Sequence, residues 1–394
     1  MHDRDLSLLR QFLHEPTAPF RETHIVQLVA ETLHAAHVPF FIDPAGNVVV
    51  GAKSASTYKK LLRKASREPL RIFVAHMDHP GFHGVRWLSP TTLHATWHGG
   101  APVRGLSGAK VWVADENGYV ALGRLKKPRL DKTRKRFLDA TVQIERNAWL
   151  KRPPADALFG GFRAYAPVWT EGKRLYTKAA DDLVGVFAVV HTALRLFSGR
   201  KKRDAPFIGL LTRGEEVGFV GMLAHLEHGW FAQAKRPLVC VSLETSRTLP
   251  GADIGKGPVV RLGDRRTVFD PGCLHVLTEV AERVLPGQHQ RRIMDGGACE
   301  ATAALAYQLP AIGISVPLGN YHNESFERRT RGRPAPEYVH LNDVAGLLKL
   351  CEGLMRPKLD WATPWENTRR ALRRNFQQQR RQLGKSAKKS GKRR

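Results

Sequence analysis

The hydrophobic pattern of the chain contains four short apolar runs, each followed by a residue that can bind a metal ion. These runs are residues 70–75, 207–212, 238–243 and 311–316. They are followed, in that order, by His76, Glu216, Glu244 and His322. Continuous apolar runs are typical of strands that helices cover on both faces. Because an open α/β sheet binds ligands at the carboxyl ends of its strands, we expect these four side chains to meet there.

Elsewhere the apolar residues recur with the period of a helix. This period predicts a pair of helices in residues 5–37 and further helices in residues 183–197, 217–227, 273–284, 299–307 and 342–355. Residues 40–50 contain two short β segments around a turn, which predicts a hairpin. The alternation of strands and helices predicts an α/β domain with a mostly parallel, helix-covered sheet.

One long segment has a different pattern. Residues 89–174 contain short β segments separated by turn residues and lack a helical period. This pattern predicts an inserted small antiparallel β-domain, either a barrel or a sandwich. The predicted domains are therefore the first part of an α/β domain in residues 1–88, the insertion in 89–174, the second part in 175–360 and a tail in 361–394.

The tail accounts for much of the positive charge of the chain. The formal net charge is +27, and residues 369–394 contain twelve Lys or Arg and no acid. This tail lacks a hydrophobic period and is predicted to be disordered. A basic tail, together with the basic runs at residues 59–64 and 124–136, raises the possibility of contact with a polyanion or a nucleic acid.

The overall composition excludes several classes of protein. A hydrophobic fraction of 42% in 394 residues is ordinary for a globular protein and excludes disorder of the whole chain. No apolar stretch is long enough to span a bilayer, and the first residues lack a signal-peptide pattern. We therefore expect a cytoplasmic protein without a membrane partner. The four scattered cysteines predict neither a disulfide framework nor a thiolate zinc site.

The chemistry of the candidate ligands indicates a pair of metal ions. Asp181 begins the apolar helix predicted at residues 183–197 and completes a set of two histidines and three carboxylates. Two divalent ions need terminal ligands and one bridging carboxylate, and this set is sufficient for both. Nitrogen and oxygen ligands without thiolates suit Zn²⁺, Co²⁺ or Mn²⁺.

Two further acids lie next to ligands in the sequence. Asp78 is two residues from His76 and could hold its imidazole in the tautomer that binds a metal. Glu215 precedes Glu216 in one loop, so that one carboxylate can bind a metal while the other acts as a general base. His79, His83 and His98 are expected to make hydrogen bonds instead of binding a metal.

Several segments together resemble one family, the tetrahedral aminopeptidases. This family is also described as the glutamyl-aminopeptidase or endoglucanase-like family of dinuclear metallopeptidases. The resemblance spans residues 5–355, and it lies in Ala75-His76-Met77-Asp78-His79-Pro80-Gly81-Phe82, Lys178-Ala179-Ala180-Asp181-Asp182, Glu215-Glu216-Val217-Gly218, Gly255-Lys256-Gly257-Pro258 and Tyr321-His322. It implies a phosphorylase/hydrolase-like fold of the zinc-peptidase type.

The resemblance also implies a role for each residue of the site. Asp181 would bridge two metal ions, most commonly Zn²⁺. His76 and Glu244 would complete one shell, and Glu216 and His322 the other. Catalytic roles would fall to Glu215 as general base and Asp78 as the residue that orients His76. Asp182 matches a position where the family often has an unusual peptide conformation, which suggests a structural role. The inserted β-domain would serve in assembly and shape access to the site, because members are commonly homo-oligomers that act on peptides.

The chain departs from the family pattern where substrate would bind. Glu244 replaces the usual Asp, as in related carboxypeptidases and deacylases, and Ala298-Cys299-Glu300 replaces a Thr-Asp-Ala type segment. The residues around the last histidine also differ. Candidate substrate contacts are therefore Cys299, Glu300, Asn320 and Tyr321.

We expect a dinuclear metallo-aminopeptidase that hydrolyses N-terminal residues of peptides through a metal-activated water and a glutamate base. The first alternative is a related metal-dependent carboxypeptidase or N-acyl amino acid deacylase. The second alternative, of another class, is a polyanion- or RNA-associated protein that uses the basic runs and the tail.

Overall fold

The central sheet has the mostly parallel arrangement that the sequence predicts. The structure is a computed structural model that describes residues 1–197 and 205–390, with the side chains of the second range up to residue 383. Its helices are α1 (Asp3–His14), α2 (Thr23–Ala35), α3 (Ala55–Arg63), α4 (Leu183–Phe197), α5 (Val220–Glu227), α6 (Pro271–Val284), α7 (Glu300–Ala306), α8 (Leu341–Leu354) and α9 (Glu366–Ser390). The predicted helices at residues 5–37, 183–197, 217–227, 273–284, 299–307 and 342–355 are thereby confirmed to within a few residues.

The strands form an eight-stranded sheet, a barrel and a three-stranded sheet. They are β1 (Phe40–Ile42), β2 (Val48–Val50), β3 (Leu70–His76), β4 (Gly81–Ser89), β5 (Thr92–His98), β6 (Lys110–Asp115), β7 (Gly118–Leu130), β8 (Phe137–Asn147), β9 (Phe159–Phe162), β10 (Val168–Glu171), β11 (Arg174–Thr177), β12 (Phe207–Thr212), β13 (Leu238–Arg247), β14 (Val259–Asp264), β15 (Gln290–Met294), β16 (Ala311–Leu318) and β17 (Glu337–His340). The large sheet has the order β1-β2-β12-β3-β13-β16-β14-β15.

The four strands that precede the candidate ligands lie side by side at the centre of this sheet. Strands β12, β3, β13 and β16 pair in parallel, so their carboxyl ends share one edge. Helices α4 and α8 pack on one face, and α5 and α7 pack on the other. All residues of β3, β12 and β16 are buried, which is the reason for their mostly apolar sequences, although β3 also buries Arg71.

The insertion is a closed six-stranded barrel, and its boundaries differ from the prediction. The strands β4-β5-β8-β7-β6-β9 close the barrel, which extends from Gly81 to Phe162 instead of from residue 89 to residue 174. The first two residues of β4, Gly81 and Phe82, are buried. In the sequence they therefore resemble a continuation of the apolar segment that contains β3. Strand β10, which the prediction placed in the insertion, instead pairs with β11, and β11 pairs with β17 near the end of the chain. This long-range pairing could not be read from local pattern.

The C-terminal segment is helical where the sequence predicted a disordered tail. Helix α9 covers Glu366–Ser390, while residues 391–394 of the predicted tail lie outside the described residues. The segment is rich in Arg, Gln and Lys, which have high helix propensities. Its side chains from residue 371 to residue 383 are all exposed. The prediction of helices relied on a regularly spaced buried face, which this helix lacks. None of the helices that the structure describes is long and apolar enough to cross a bilayer.

Candidate metal centre

The structure brings all five predicted ligands to the carboxyl-end edge of the sheet. His76 ends β3, and Glu244 lies near the end of β13. Glu216 and His322 lie in short 3₁₀ turns that follow β12 and β16. Asp181 lies between β11 and α4, just before the first residue of that helix. Five segments that are distant in the sequence therefore contribute one polar cluster.

The carboxylate of Asp181 lies between the two histidines. Its Oδ1 atom is 3.4 Å from Nε2 of His76, and its Oδ2 atom is 3.7 Å from Nε2 of His322. The same Nε2 atom of His322 is 3.2 Å from Oε2 of Glu216. Each oxygen of Asp181 thus faces a different imidazole. A carboxylate with two opposed nitrogen neighbours has the geometry that a bridging ligand requires.

The cluster contains buried polar atoms that the protein itself does not satisfy. Oδ1 of Asp181, Oε1 of Glu216, Oε1 of Glu244 and Nε2 of His322 are buried without a hydrogen-bond partner. Leaving one such atom unpaired typically costs about 1–3 kcal/mol, and more for a charged group. Ligand atoms lie within 4.8 Å of one another in two groups, which are His76 with Asp181 and Glu216, and His76 with Glu215 and Glu244. Divalent cations would satisfy these atoms together, so the residues present fit a metal centre.

Burial and mutual repulsion raise the pKa values of carboxylates in the cluster. Burial raises the pKa of Glu215 well above its usual value, and the charges of Glu244 and Glu216 raise it further. Burial likewise raises the pKa of Glu244 to about 8. Burial opposes protonation of His76, but the nearby carboxylates, led by Glu215, raise its pKa well above the usual value. Without cations, the cluster therefore holds protons in place of metal ions.

Asp78 supports both His76 and the loop that carries the two glutamates. Nδ1 of His76 is 3.1 Å from the main-chain carbonyl of Asp78 and 3.6 Å from its carboxylate. Because a carbonyl only accepts, Nδ1 carries the proton and Nε2 is free to bind a metal ion. The carboxylate of Asp78 accepts hydrogen bonds from the main-chain N–H groups of Glu215, at 2.9 Å, and Glu216, at 3.1 Å. The predicted orienting role is thus shared between the carbonyl and the side chain.

Of three neighbouring histidines, His79 and His83 make the hydrogen bonds that the sequence predicted, whereas the described contact of His98 is between rings. Nδ1 of His79 is 2.6 Å from the carbonyl of Asp181, and its Nε2 is 3.2 Å from Oδ1 of Asn323. His83 contacts the carbonyl of Pro19, and its ring packs against that of His98. None of the three belongs to a group of candidate ligands among the described residues.

Asp182 has the structural environment that its position implies. The peptide bond between Asp181 and Asp182 is cis. The Asp182 carboxylate accepts hydrogen bonds from the N–H of Gly185 and the hydroxyl of Thr245. Asp182 therefore connects the start of α4 to β13 beneath the cluster.

Glu337 supports the site and was not identified from the sequence. Its Oε2 atom accepts hydrogen bonds from the N–H groups of Ala180, at 2.7 Å, and Asp181, at 3.1 Å. Its Oε1 atom accepts one from the N–H of His322, at 2.9 Å. One buried carboxylate thus joins the backbones of two ligand segments. Its sign in the sequence is a single acid at an inward-facing position of β17. Strand β17 pairs with β11, which lies far away in the sequence, so local pattern does not relate this acid to the site.

The barrel also contacts the cluster. The backbone of Gly100, in the loop after β5, lies against the imidazole of His322, and a Cβ atom at this position would overlap its Nδ1 atom. A side chain other than glycine would therefore displace the histidine or the loop. The insertion forms one wall of the site.

A narrow cleft adjoins the cluster. Of the four residues predicted to contact substrate, Tyr321 lines this cleft. Tyr321 stacks on the ring of His322 with centroids 3.7 Å apart. Asn320 instead donates a hydrogen bond to the carbonyl of Pro336. Cys299 and Glu300 are fully buried and are not among the residues that line this cleft, so their contact with substrate stays a prediction. The residues around the cleft are Glu244, Thr245, Ser246, Arg247, Leu249, Arg261, Met294, Gly296, Gly297, Ala298 and Tyr321.

Arg261 is the cation of this cleft that sequence reasoning missed. It lies on β14 and is almost completely buried. Its Nη1 atom donates to the hydroxyl of Ser246 at 3.3 Å, while its Nε atom has no hydrogen-bond partner. A buried guanidinium with spare donors beside a cleft can bind a carboxylate. An arginine inside an otherwise apolar strand was the available signal.

Comparison with known proteins agrees with the resemblance that the motifs indicate. Residues 157–330 match the model of a family described as M42 glutamyl aminopeptidase. This range contains every proposed ligand except His76. Comparison of the sequence with curated proteins finds no match.

The fold matches solved archaeal structures over nearly the whole chain. The TET1 peptidase of Pyrococcus horikoshii matches with a TM-score of 0.68 and 22% identity, covering 90% of this chain and 99% of that one. A TET aminopeptidase from a marine sediment archaeon of the Thaumarchaeota matches with a TM-score of 0.69 and 19% identity, covering 90% and 98%. An aminopeptidase from Desulfurococcus kamchatkensis matches with a TM-score of 0.68 and 21% identity, covering 91% and 96%. The predicted family resemblance and the α/β fold class are confirmed.

Replacing Glu337 with glutamine is expected to weaken metal binding. The amide has one acceptor oxygen for three N–H groups, so the segments of Asp181 and His322 lose part of their support. Changes to residues that hold metal ligands in place typically cost about tenfold to a hundredfold in metal affinity. Competition with a chromophoric chelator would measure the dissociation constant. The matched control is Glu327→Gln, an exposed acid on a neighbouring loop. Equal constants for wild type and Glu337→Gln would contradict the assigned role.

The metal-free protein is expected to lose thermal stability as the pH rises from about 5 to about 8. Burial raises the pKa of Glu244 to about 8 and that of Glu300 to about 7, whereas both ionise near 4.5 when the chain is unfolded. The folded form therefore binds more protons across this range, and each extra proton lowers the free energy of unfolding by about 1.4 kcal/mol per pH unit.

Melting curves with a chelator and with added Zn²⁺ would test this expectation. Zn²⁺ should stabilise the protein most at the upper end of the pH range, because the ion replaces protons that are already weakly held. Glu300→Gln removes one of the two carboxyl groups and should flatten the decline. A melting temperature that stays level or rises with pH in the presence of chelator would show that the carboxylates are not coupled in this way.

Proposed function

We propose that the protein is a metal-dependent aminopeptidase that removes N-terminal residues from peptides. The observation that carries the proposal is the carboxylate of Asp181, which lies between His76 and His322 among buried atoms that lack partners. The matches to a peptidase family and to aminopeptidase structures support a peptide-bond hydrolase. The geometry provides a site at which such an enzyme could hold two divalent ions.

The proposed ligand shells are those that the family resemblance implies, and the closeness of Nε2 of His322 to Glu216 and to Asp181 supports the shell that contains His322. His76 and Glu244 would hold one ion, Glu216 and His322 would hold the other, and Asp181 would bridge them. Zn²⁺ suits this nitrogen and oxygen set best, and Co²⁺ or Mn²⁺ could replace it. Two such ions supply Lewis acidity that activates water and stabilises charge on the oxygen of the scissile carbonyl.

Glu215 is the proposed general base. Its neighbour Glu216 faces His322, whereas Glu215 lies on the side of His76 and Glu244, with its carboxylate 3.8 Å from Nε2 of His76. Asp78 holds the backbone of the loop and so fixes both glutamates. Glu215 would accept a proton from the attacking water as the new C–O bond forms. It would then donate that proton to the amine nitrogen as the C–N bond breaks.

We propose that the cleft accepts an acidic N-terminal residue. Arg261 and Arg247 both line it, and Arg261 has a donor without a partner. A carboxylate in the cleft would pair with a guanidinium that is already desolvated, so little further desolvation cost would arise. The description of the matching family as glutamyl aminopeptidase is consistent with this preference.

We also propose that the protein forms a homo-oligomer through its barrel. Pyrococcus horikoshii TET1 peptidase can assemble into a tetrahedron or a large octahedral shell. The barrel of this chain is formed by a continuous segment and touches the site through Gly100, so its contacts could shape access as well as assembly.

Replacing Glu215 with glutamine is expected to abolish most of the activity while metal binding persists. A general base typically contributes about 10²–10⁴-fold to the rate, and the amide cannot accept the proton of water. Turnover of aminoacyl p-nitroanilides would be measured together with metal content. Glu116→Gln, an exposed acid in the barrel, is the matched control. Wild-type turnover in Glu215→Gln would exclude this mechanism.

A substrate panel would separate the aminopeptidase from its alternatives and test the acidic cleft. Metal-depleted and reconstituted protein would be assayed with aminoacyl anilides and with N-acyl amino acids. We expect activity on anilides of Glu and Asp, dependent on metal. Arg261→Met should lower kcat/KM for these anilides by about tenfold to a hundredfold, the usual loss for a hydrogen bond to a charged group.

The control for this panel is Arg266→Met, an exposed arginine close to Arg261 in sequence. The metal content of each variant would be measured, because Arg261 lies close to the proposed ligand Glu244. Hydrolysis of N-acyl amino acids in place of anilides would establish the deacylase alternative. An Arg261→Met enzyme with an unchanged preference would refute the role of the cleft.

A further inference from the structure

Helix α9 has no packing partner among the described residues beyond its first turn. At its start, Trp365 stacks on His275 with ring centroids 4.5 Å apart. From residue 371 to residue 383 every side chain is exposed. The helix has 25 residues and is therefore about 37 Å long at the usual rise per residue. An isolated helix of this kind is marginally stable in water, so a partner surface would add much of its stability.

The exposed apolar residues of α9 lie in a single stripe. Leu372, Phe376 and Leu383 are 64%, 53% and 68% exposed, and Trp365 just before the helix is 46% exposed. Their spacings of seven, four and seven residues place them within about 40° of one another around the helix axis. We call the three of them that lie on the helix, Leu372, Phe376 and Leu383, the apolar stripe. The rest of the described helix surface is polar, apart from Ala371.

Arginines occupy one side of the apolar stripe. Arg369, Arg373 and Arg380 are next to it, within about 60° of Phe376 around the axis. The side chains of this helix that the structure describes include one acid, Glu366, which pairs with Arg369 and Arg370 at the base. A helix with Phe and Leu on one face and arginines beside them has the character of one that lies in a membrane interface.

We propose that α9 is an interfacial helix that docks on the surface of an anionic phospholipid bilayer. The stripe would enter the boundary between headgroups and acyl chains, while the arginine side chains extend to the phosphates. The sequence of residues 384–394 adds six basic residues and no acid, which favours an anionic surface. The expectation that the protein has no membrane partner considered only spanning helices, and an interfacial helix need not span.

Two other occupants fit the same observations less well. RNA would pair with the arginines but would leave the apolar stripe in water. A second copy of α9 could cover the stripe but would bring two strongly basic helices side by side. Of these three occupants, an anionic lipid surface satisfies the stripe and the arginines together.

The test uses the full-length protein and two double variants of equal charge. Leu372→Ser with Phe376→Ser disrupts the stripe, and Asn375→Ser with Gln378→Ser changes positions about 100° and about 160° away from Phe376 around the axis. Cosedimentation would be measured with vesicles of phosphatidylcholine alone and with vesicles that contain phosphatidylglycerol. Melting curves would verify that all three proteins have the same folded body.

We expect wild type and the Asn375 and Gln378 variant to bind the anionic vesicles and not the neutral ones. The stripe variant should partition at least about tenfold more weakly, because two apolar side chains no longer leave water. Absence of wild-type binding to anionic vesicles would overturn the proposal. So would equal binding by the stripe variant, since charge alone would then account for the association.

Two parallel measurements identify the competing occupants. A fluorescent oligoribonucleotide that loses affinity for the stripe variant as strongly as the vesicles do would indicate a general polyanion helix, and would overturn the proposal. A stripe variant with a smaller particle mass in sedimentation velocity and unchanged vesicle binding would assign the stripe to a second copy. An unchanged mass, together with the loss of vesicle binding, supports the interfacial helix.

Discussion

The concentration of buried carboxylates at one edge of the sheet is the constraint on which the rest of the site depends. Asp181, Glu215 and Glu244 are all buried around His76, and like charges so close together cannot all ionise in a medium of low polarity. The cluster therefore requires either protons or cations. The raised pKa values of Glu215 and Glu244 indicate that these groups hold protons when no cation is bound. The buried atoms without partners mark where cations would bind.

The scaffold holds this unfavourable cluster by means of groups that do not themselves bind metal. Asp78 connects the end of β3 to the loop after β12, and Glu337 connects the segment before α4 to the turn after β16. Gly100 brings the barrel against His322. Each of these contacts joins parts of the chain that are more than a hundred residues apart, except the one between Glu337 and His322. Metal affinity, folding and the position of the barrel are therefore coupled.

The sequence was informative where local pattern and burial coincide, and less so where the contacts are non-local. Continuous apolar runs predict the parallel strands, and the residues that follow them include the ligands. Glu337 was missed because its strand pairs with β11, about 160 residues earlier. The barrel boundary was misplaced because the buried start of β4 resembles the preceding strand. The sequence predicts disorder for α9 because its large apolar residues, Leu372, Phe376 and Leu383, are too few among many basic and polar residues for their helical spacing to be recognised.

Arg261 relates the metal centre to the cleft through a single charge. Burial and neighbouring acids act on Glu244 to raise its pKa, while Arg261 acts to lower it. In the absence of cations, this guanidinium is the principal positive group that offsets Glu244 on the side of the cleft. Cations bound to the carboxylates would offset the charge of Glu244 instead. The positive charge of Arg261 would then be free to attract a carboxylate in the cleft. Occupation of the metal centre would thus strengthen the binding of an acidic substrate, although Arg261 itself binds no metal.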